Sequence, residues 1–147
     1  MIIVRMQGGL GNQIFQYALF EKLKKIYPNE RVLLDKTSYR VEYPHNGYEL
    51  EHIFNVRPFY ASNKEIRSVT GKIPYVGMGK RLLSKNDFFH KVIKKIFKVI
   101  NQMVDIVNAW YCRGKSFDTV IYQAYESEYI EDPIIYQLDL NRDWYFN

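Results

Sequence analysis

The sequence Ile2-Ile-Val-Arg-Met-Gln-Gly-Gly-Leu-Gly-Asn-Gln13 decides the fold. Its first five residues are a β-branched run interrupted by one arginine, which predicts a buried strand over Ile2–Met6. A glycine-rich turn follows, and a helical pattern then continues to about Tyr27, where a proline ends it. The apolar residues on one face of this helix, expected to be buried, are Phe15, Ala18, Leu19, Leu23 and Ile26. A second strand is predicted for Arg31–Leu34. Because strand, glycine-rich turn, helix and strand within about 35 residues are typical of a βαβ unit, the sequence predicts an α/β fold with a parallel sheet.

Length and composition describe one globular unit. The 147 residues correspond to about one domain. A hydrophobic share of 47% and a charged share of 25% exclude a disordered chain. The single cysteine, Cys112, excludes an internal disulfide and suits a reducing compartment. Arg5 interrupts the apolar start, so no signal peptide is predicted, and no uncharged apolar stretch is long enough to span a bilayer. We therefore expect a soluble, cytoplasmic domain.

Shorter helices, strands and loops are predicted for the middle and end of the chain. Residues Lys36–Arg57 are expected to form a loop with short elements, and Asn63–Val69 a short helix. A further strand is predicted for Thr119–Ala124 and a short apolar segment for Ile130–Leu138. The chain ends in Trp144-Tyr-Phe-Asn147. Three consecutive aromatic residues at a terminus indicate either a segment that docks on the core or a chain cut within a larger protein.

A long basic amphipathic helix is predicted near residues 87–112. It has no glycine or proline, and apolar residues recur there at helical spacing: Phe89, Val92, Ile93, Ile96, Ile100, Met103, Val104 and Val107. Seven lysines or arginines and one acid lie between Lys80 and Lys98. The favoured interpretation is a helix that packs on the core with a solvated basic face. The alternative is a non-catalytic basic module that binds an anionic membrane surface or nucleic acid.

The glycine-rich turn is the strongest chemical signal in the sequence. Glycines between a strand and a helix allow a ligand to approach the backbone closely, and the amides of Asn12 and Gln13 suit sugar hydroxyls and phosphate oxygens. The spacing of Gly8, Gly9 and Gly11 matches neither a dinucleotide fingerprint nor a P-loop. A tight turn with no ligand is the structural alternative.

The sequence Ile2-Ile-Val-Arg-Met-Gln-Gly-Gly-Leu-Gly-Asn-Gln-Ile-Phe-Gln-Tyr-Ala18 resembles the amino-terminal signature of glycosyltransferase family 11, the bacterial α-1,2-fucosyltransferases. Two further segments are similar to that family's second landmark: Asp35-Lys-Thr-Ser-Tyr39, and His45-Asn-Gly-Tyr-Glu-Leu50 with Ile53-Phe-Asn-Val56. The resemblance covers roughly the first 56 residues and is loose over the remainder.

The resemblance implies a fold and a reaction. Members of this family adopt a GT-B-like fold of two Rossmann-like domains. They transfer fucose from GDP-fucose to the 2-hydroxyl of a terminal galactose, with inversion and without a metal or other cofactor. By this resemblance, residues 1–147 are the amino-terminal, acceptor-side Rossmann-like domain. The partners would be GDP-fucose and a galactose-terminated glycan acceptor, with no nucleic acid and with a possible peripheral contact to the inner membrane face.

Candidate site residues follow from the same motifs. The resemblance implies that Gly9, Gly11, Asn12 and Gln13 lie next to the bound donor. Asn12 is also a candidate catalytic residue, as is Glu49 because it lies within a family motif. No metal site is predicted, since the three histidines have no ligand spacing. Asp139-Leu-Asn141 is only faintly similar to the D-x-D motif of other glycosyltransferases.

The sequence departs from the family in its donor-binding signature. No H-x-R-R-x-D-Y run and no G-Y-[WF]-Q segment occur in these 147 residues. By the resemblance, the arginines that would hold the diphosphate are absent from these residues, and we expect the carboxy-terminal, donor-binding domain to be absent with them. We expect a truncated chain with little or no transferase activity of its own. An inert gene remnant is the remaining alternative.

Overall fold

The computed structural model describes residues 1–40, 46–77, 87–113, 119–122 and 136–147. Within them, the strands and helices are, in chain order, β1 (Ile2–Arg5), α1 (Leu10–Ile26), β2 (Val32–Asp35), a short 3-10 helix (Thr37–Arg40), α2 (Leu50–Phe54), α3 (Asn63–Thr70), α4 (Asp87–Tyr111), β3 (Thr119–Tyr122) and β4 (Asp143–Phe146). The predicted strands and helices that fall in these ranges agree with the observed ones to within about two residues. Residues 123–124 and 130–135 of two predicted segments lie outside the described residues.

The described strands form one parallel sheet in the order β2-β1-β4-β3. In the register of this sheet, Ile3 of β1 lies between Leu33 of β2 and Tyr145 of β4. The strands β1 and β4 therefore occupy the centre. Their continuous apolar character is typical of parallel strands that are covered on both faces. The predicted α/β class with a parallel sheet is confirmed.

Helices cover both faces of the sheet. On one face, Ile2, Val4 and Phe146 pack against Leu19 and Leu23 of α1. On the other face, Ile3, Leu33 and Tyr145 pack against Val69 of α3. Alternate residues of each strand therefore belong to different apolar clusters, as the twofold side-chain periodicity of a strand requires.

The buried face of α1 differs from the predicted one in its first turns. Phe15, which the helical pattern placed on the buried face, is 46% exposed. Gln13 and Gln16 are buried instead, together with Phe20. The physical reason is that both amide oxygens accept hydrogen bonds from backbone N–H groups of neighbouring loops, and the Gln13 amide nitrogen also donates to a loop carbonyl, which compensates the burial.

The aromatic carboxyl end is docked into the sheet. Trp144, Tyr145 and Phe146 are buried in β4, between β1 and β3. The Trp144 indole N–H donates to the Asp139 carbonyl over 2.9 Å, so its polar edge is satisfied within the fold. The structure therefore shows this segment docked on the core.

The expectation that α4 packs its apolar stripe on the core is wrong. None of its described side chains, residues 91–111, is buried, and Ile96, Met103 and Trp110 are more than half exposed. The helix is held instead by polar side chains that contact the loop Gly71–Val76. No helix within the described residues, α4 included, is long and apolar enough to cross a membrane.

Candidate functional site

The candidate site lies at the carboxyl edge of the sheet, where β1, β2 and β4 end. From β1 the chain continues to β2 on one side, and β4 later pairs with β1 on the other side. The sheet therefore has a topological switch point between β1 and β4. In open parallel sheets, ligands bind in the crevice outside the strand ends at such a point.

The glycine-rich turn connects β1 to α1 at this edge. Gly8 has a φ of 77°, a backbone conformation that favours glycine, and a Cβ added there would lie 2.4 Å from Asn12 Nδ2. Gly9 is the N-cap of α1 and supplies no capping side chain. The first backbone N–H groups of α1 therefore lack a side-chain cap, and such groups favour an anionic or polar ligand.

Gly11 differs from Gly8 because the described fold gives it no packing role. It is exposed, and a Cβ added there would meet no heavy atom within 4 Å. Alanine has the higher helix propensity at a position of this kind. Neither the backbone conformation nor the packing requires a glycine at this position. The absence of a side chain is compatible with close approach of a ligand to the backbone.

Gln13 binds three segments of the chain together. Its side chain is fully buried; Nε2 donates to the carbonyls of Gly47, over 2.9 Å, and Gly8, over 3.3 Å. Its Oε1 accepts from the backbone N–H groups of Glu49 and Leu50, over 3.0 and 3.2 Å. These four bonds use both protons and both lone pairs of the amide, so Gln13 acts as a brace of the turn.

The segment after β2 braces the turn from its other side. The Tyr39 hydroxyl donates to the Gly8 carbonyl over 3.0 Å, and the Ser38 hydroxyl donates to the Met6 carbonyl. Asp35 Oδ1 accepts from the Thr37 backbone N–H over 2.7 Å, which fixes the entry into the short 3-10 helix. The three motif segments of the sequence are thus joined by hydrogen bonds into one unit.

A cavity of about 570 Å³ opens at the same edge, on the side of the sheet that α3 covers. Arg5 and Asn147, at the ends of β1 and β4, line it and are joined by a bond of 2.7 Å from the guanidinium to the amide oxygen. Other polar residues that line it are Asp35, Lys72 and Asp105. The cavity therefore offers hydrogen-bond donors, acceptors and charges of both signs, a set that suits a ligand rich in hydroxyl groups.

Asp35 and Tyr145 form a buried hydrogen bond in the wall of this cavity. The Tyr145 hydroxyl donates to Asp35 Oδ2 over 2.6 Å. Burial and then the neighbouring Asp35 charge raise the pKa of the Tyr145 phenol above its usual range. The phenol therefore stays protonated and remains a donor at neutral pH.

The predicted site residues lie together around the first turn of α1. Gly9, Gly11 and Asn12 lie at its start, and Gln13 joins them to Glu49, which is the N-cap of α2. None of these predicted residues lines the cavity. Sequence reasoning missed the lining residues Arg5, Asp35, Tyr145 and Asn147. The signal available for Arg5 was its place as the charged residue at the end of an apolar strand.

Asp139 and Cys112, both noted in the sequence, have structural partners. Asp139 Oδ1 accepts from the backbone and side-chain nitrogens of Asn141, so the D-x-D-like segment forms a turn before β4. The half-buried Cys112 thiol contacts the Gly71 carbonyl over 3.7 Å. Among the described residues, no group of three or more His, Cys, Asp or Glu side chains could hold a metal ion.

Comparison of the chain with protein-family models, with curated proteins and with solved structures gives no match.

Proposed function

We propose that these 147 residues form the amino-terminal, acceptor-side domain of a glycosyltransferase of the α-1,2-fucosyltransferase type. One observation supports this proposal above the others. The three segments that resemble glycosyltransferase family 11 are separate in the sequence, and they meet at the carboxyl edge of the sheet. Gln13 bonds to Gly8, Gly47 and Glu49, and Tyr39 bonds to Gly8. The motifs that carry the resemblance therefore form one hydrogen-bonded unit in this fold.

The geometry supports a division of roles between two surfaces. The start of α1, with Gly11 and Asn12, presents backbone N–H groups without a side-chain cap, which suits the polar part of a sugar-nucleotide donor. The cavity beside Arg5 and Asn147 suits the hydroxyls of a galactoside acceptor. Under this proposal the chain belongs to a GT-B-like enzyme and works in the cytoplasm, where one free cysteine is stable in its reduced form.

The donor diphosphate requires cations, and the described residues of the glycine-rich turn do not supply them. The sequence has no H-x-R-R-x-D-Y run, and the arginine nearest the glycine-rich turn, Arg5, is bonded to Asn147. The proposal therefore assigns diphosphate binding to a second domain outside these residues. The chain alone is expected to bind a galactoside and to transfer fucose poorly or not at all.

The test measures transfer from radiolabelled GDP-fucose to β-galactosides. The chain is assayed alone and with the donor domain of a family 11 enzyme, which contains the H-x-R-R-x-D-Y run, added in trans. We expect transfer only in the mixture, and a lower rate with Asn12→Ala. The control is Gln102→Ala, which changes an exposed amide on α4. Nuclear magnetic resonance titration of the chain with a β-galactoside measures acceptor binding independently of catalysis.

Two results would contradict the proposal. Absence of transfer in the mixture, together with no galactoside-induced shifts in the chain, would exclude the acceptor-side role. Transfer by the chain alone would show that the arginine-bearing domain is dispensable, and the assignment of diphosphate binding would be wrong.

A further inference from the structure

The outward side of α4 is a continuous apolar surface. Eight large side chains on it are exposed, and we call them the apolar face of α4: Val92, Ile96, Val99, Ile100, Met103, Ile106, Val107 and Trp110. Trp110 is 76% exposed and Met103 62%. Single exposed apolar residues are ordinary on protein surfaces, but a contiguous patch of this size marks an interaction site.

Polar side chains attach α4 to the rest of the chain from another side. The Asn108 amide exchanges two hydrogen bonds with the backbone of Ile73, over 2.7 and 3.0 Å. The Asn101 amide does the same with the backbone of Val76, over 2.9 and 3.0 Å. The Tyr75 hydroxyl donates to Asp105 over 2.8 Å. These specific contacts fix which side of the helix faces the loop, so the apolar face is directed away from it.

The apolar face of α4 is long and broad. From Val92 to Trp110 it extends about 27 Å along the helix, at 1.5 Å per residue. Ile100 and Val107 lie beside the row formed by Ile96, Val99, Met103 and Ile106, so the face is about 120° wide at about 100° per residue. This is broader than the two-position seam along which helices pair in a coiled coil.

Basic side chains lie near one edge of the face. Lys91 and Lys95 are exposed near that edge, whereas Lys94, Lys98 and the acid Asp105 lie toward the side of the helix that faces the loop. Lys95 lies one helical turn from Val92 and from Val99, so its ammonium group borders the face. A lysine at the edge of an apolar helix face can place its stem in an apolar phase and its charge among anionic headgroups.

We propose that the apolar face of α4 binds the surface of an anionic lipid bilayer, with the helix lying in the plane of the interface. Apolar burial supplies the affinity, and Lys91 and Lys95 select anionic lipid. Trp110 would lie at the interface, where its amphipathic ring is favoured. Nucleic acid is a poorer partner, since its phosphates would satisfy the lysines and leave the apolar face in water. This inference is independent of transferase activity.

The experiment is flotation of the full chain with vesicles of phosphatidylcholine, with or without phosphatidylglycerol. We expect binding to the anionic vesicles that weakens with added salt. Lys91→Gln combined with Lys95→Gln is expected to weaken binding about 30-fold. The matched control, Lys25→Gln with Lys64→Gln, removes two exposed lysines elsewhere and should change binding less than twofold.

A second variant tests the apolar face itself. Ile96→Glu with Met103→Glu changes two exposed positions, so the fold is expected to persist, as circular dichroism would show. We expect this variant to lose vesicle binding. Equal binding by the variant and the parent chain would overturn the proposal. The proposal would also be overturned if the parent chain did not bind vesicles but sedimented as a dimer, while the variant sedimented as a monomer. A second copy of the chain would then cover the face.

Discussion

The Tyr145 hydroxyl donates a hydrogen bond of 2.6 Å to Asp35 Oδ2, which joins two residues that are 110 positions apart. Tyr145 lies in β4 and Asp35 ends β2, so the bond crosses the central strand β1. Asp35 is buried, and its other carboxylate oxygen accepts from the Thr37 backbone N–H. One carboxylate therefore ties the start of the second motif segment to the carboxyl-terminal strand.

Removing the Tyr145 hydroxyl should destabilise the fold without creating a cavity. In Tyr145→Phe the ring remains, but Asp35 Oδ2 loses its donor, which costs about 1–3 kcal/mol of unfolding free energy. The control, Tyr136→Phe, removes a hydroxyl from a residue that is 55% exposed and should change stability by less than about 0.5 kcal/mol. Urea unfolding of both variants measures the difference, and equal stability would show that Asp35 finds another donor.

The first βαβ unit could be predicted from sequence because its signals are local. The β-branched run, the glycines and the proline after Tyr27 lie within the elements that they define. The position of β4 could not be predicted, because its pairing with β1 joins residues about 140 apart and leaves no local pattern. The three terminal aromatic residues indicate that the segment is buried, but they do not identify the strand with which it pairs.

The two amides of the glycine-rich turn illustrate a limit of pattern reasoning about sites. Asn12 and Gln13 have the same chemistry and adjacent positions, so the sequence assigns both to a ligand. Tertiary contacts separate them, since Gln13 bonds to Gly47, Glu49 and Leu50. Helical periodicity in α4 likewise predicted an apolar face, but periodicity does not say whether another part of the chain covers it.

Gln13 should be among the most sensitive polar positions. Gln13→Ala leaves the Gly47 carbonyl and the Glu49 and Leu50 N–H groups without their partner, at a cost of at least about 2 kcal/mol. Gln102→Ala, on the exposed side of α4, is the matched control. Amide hydrogen exchange at Glu49 and Leu50 gives a local readout. Unchanged protection of these two amides in Gln13→Ala would contradict the role of brace.

Gly8 and Gly11 should respond to alanine in opposite directions. Gly8→Ala forces a positive φ on alanine and pushes against Asn12, which should cost at least about 1 kcal/mol. Gly11→Ala places a methyl group in open space within α1 and should stabilise the chain by about 0.5–1 kcal/mol. Thermal unfolding of the two variants checks the signs. If Gly11→Ala were also destabilising, Gly11 would have a structural role that the described fold does not explain.

The acid sensitivity of α3 should depend on Glu65. Its carboxylate accepts from the Ser62 hydroxyl over 2.7 Å and from the Ser62 N–H over 2.8 Å, and it pairs with Arg31. Hydrogen bonds from Ser62, together with the Arg31 charge, lower the Glu65 pKa to about 2. Since the folded pKa lies below the unfolded value, this stabilisation is present above about pH 4.5 and is lost as the pH falls toward 2.

Glu65→Gln should therefore lower stability at neutral pH and flatten its pH dependence between about pH 4.5 and 2, since glutamine fills the same capping-box position without the charge. Urea unfolding at neutral pH and at about pH 3 measures both effects. The control is Glu21→Gln, which changes a more exposed carboxylate paired with Lys24. It should leave the loss of stability between about pH 4.5 and 2 unchanged. If Glu65→Gln and the parent chain lost stability equally on acidification, the acid response would belong to other carboxylates, and the Ser62 hydrogen bonds would not hold the Glu65 pKa down.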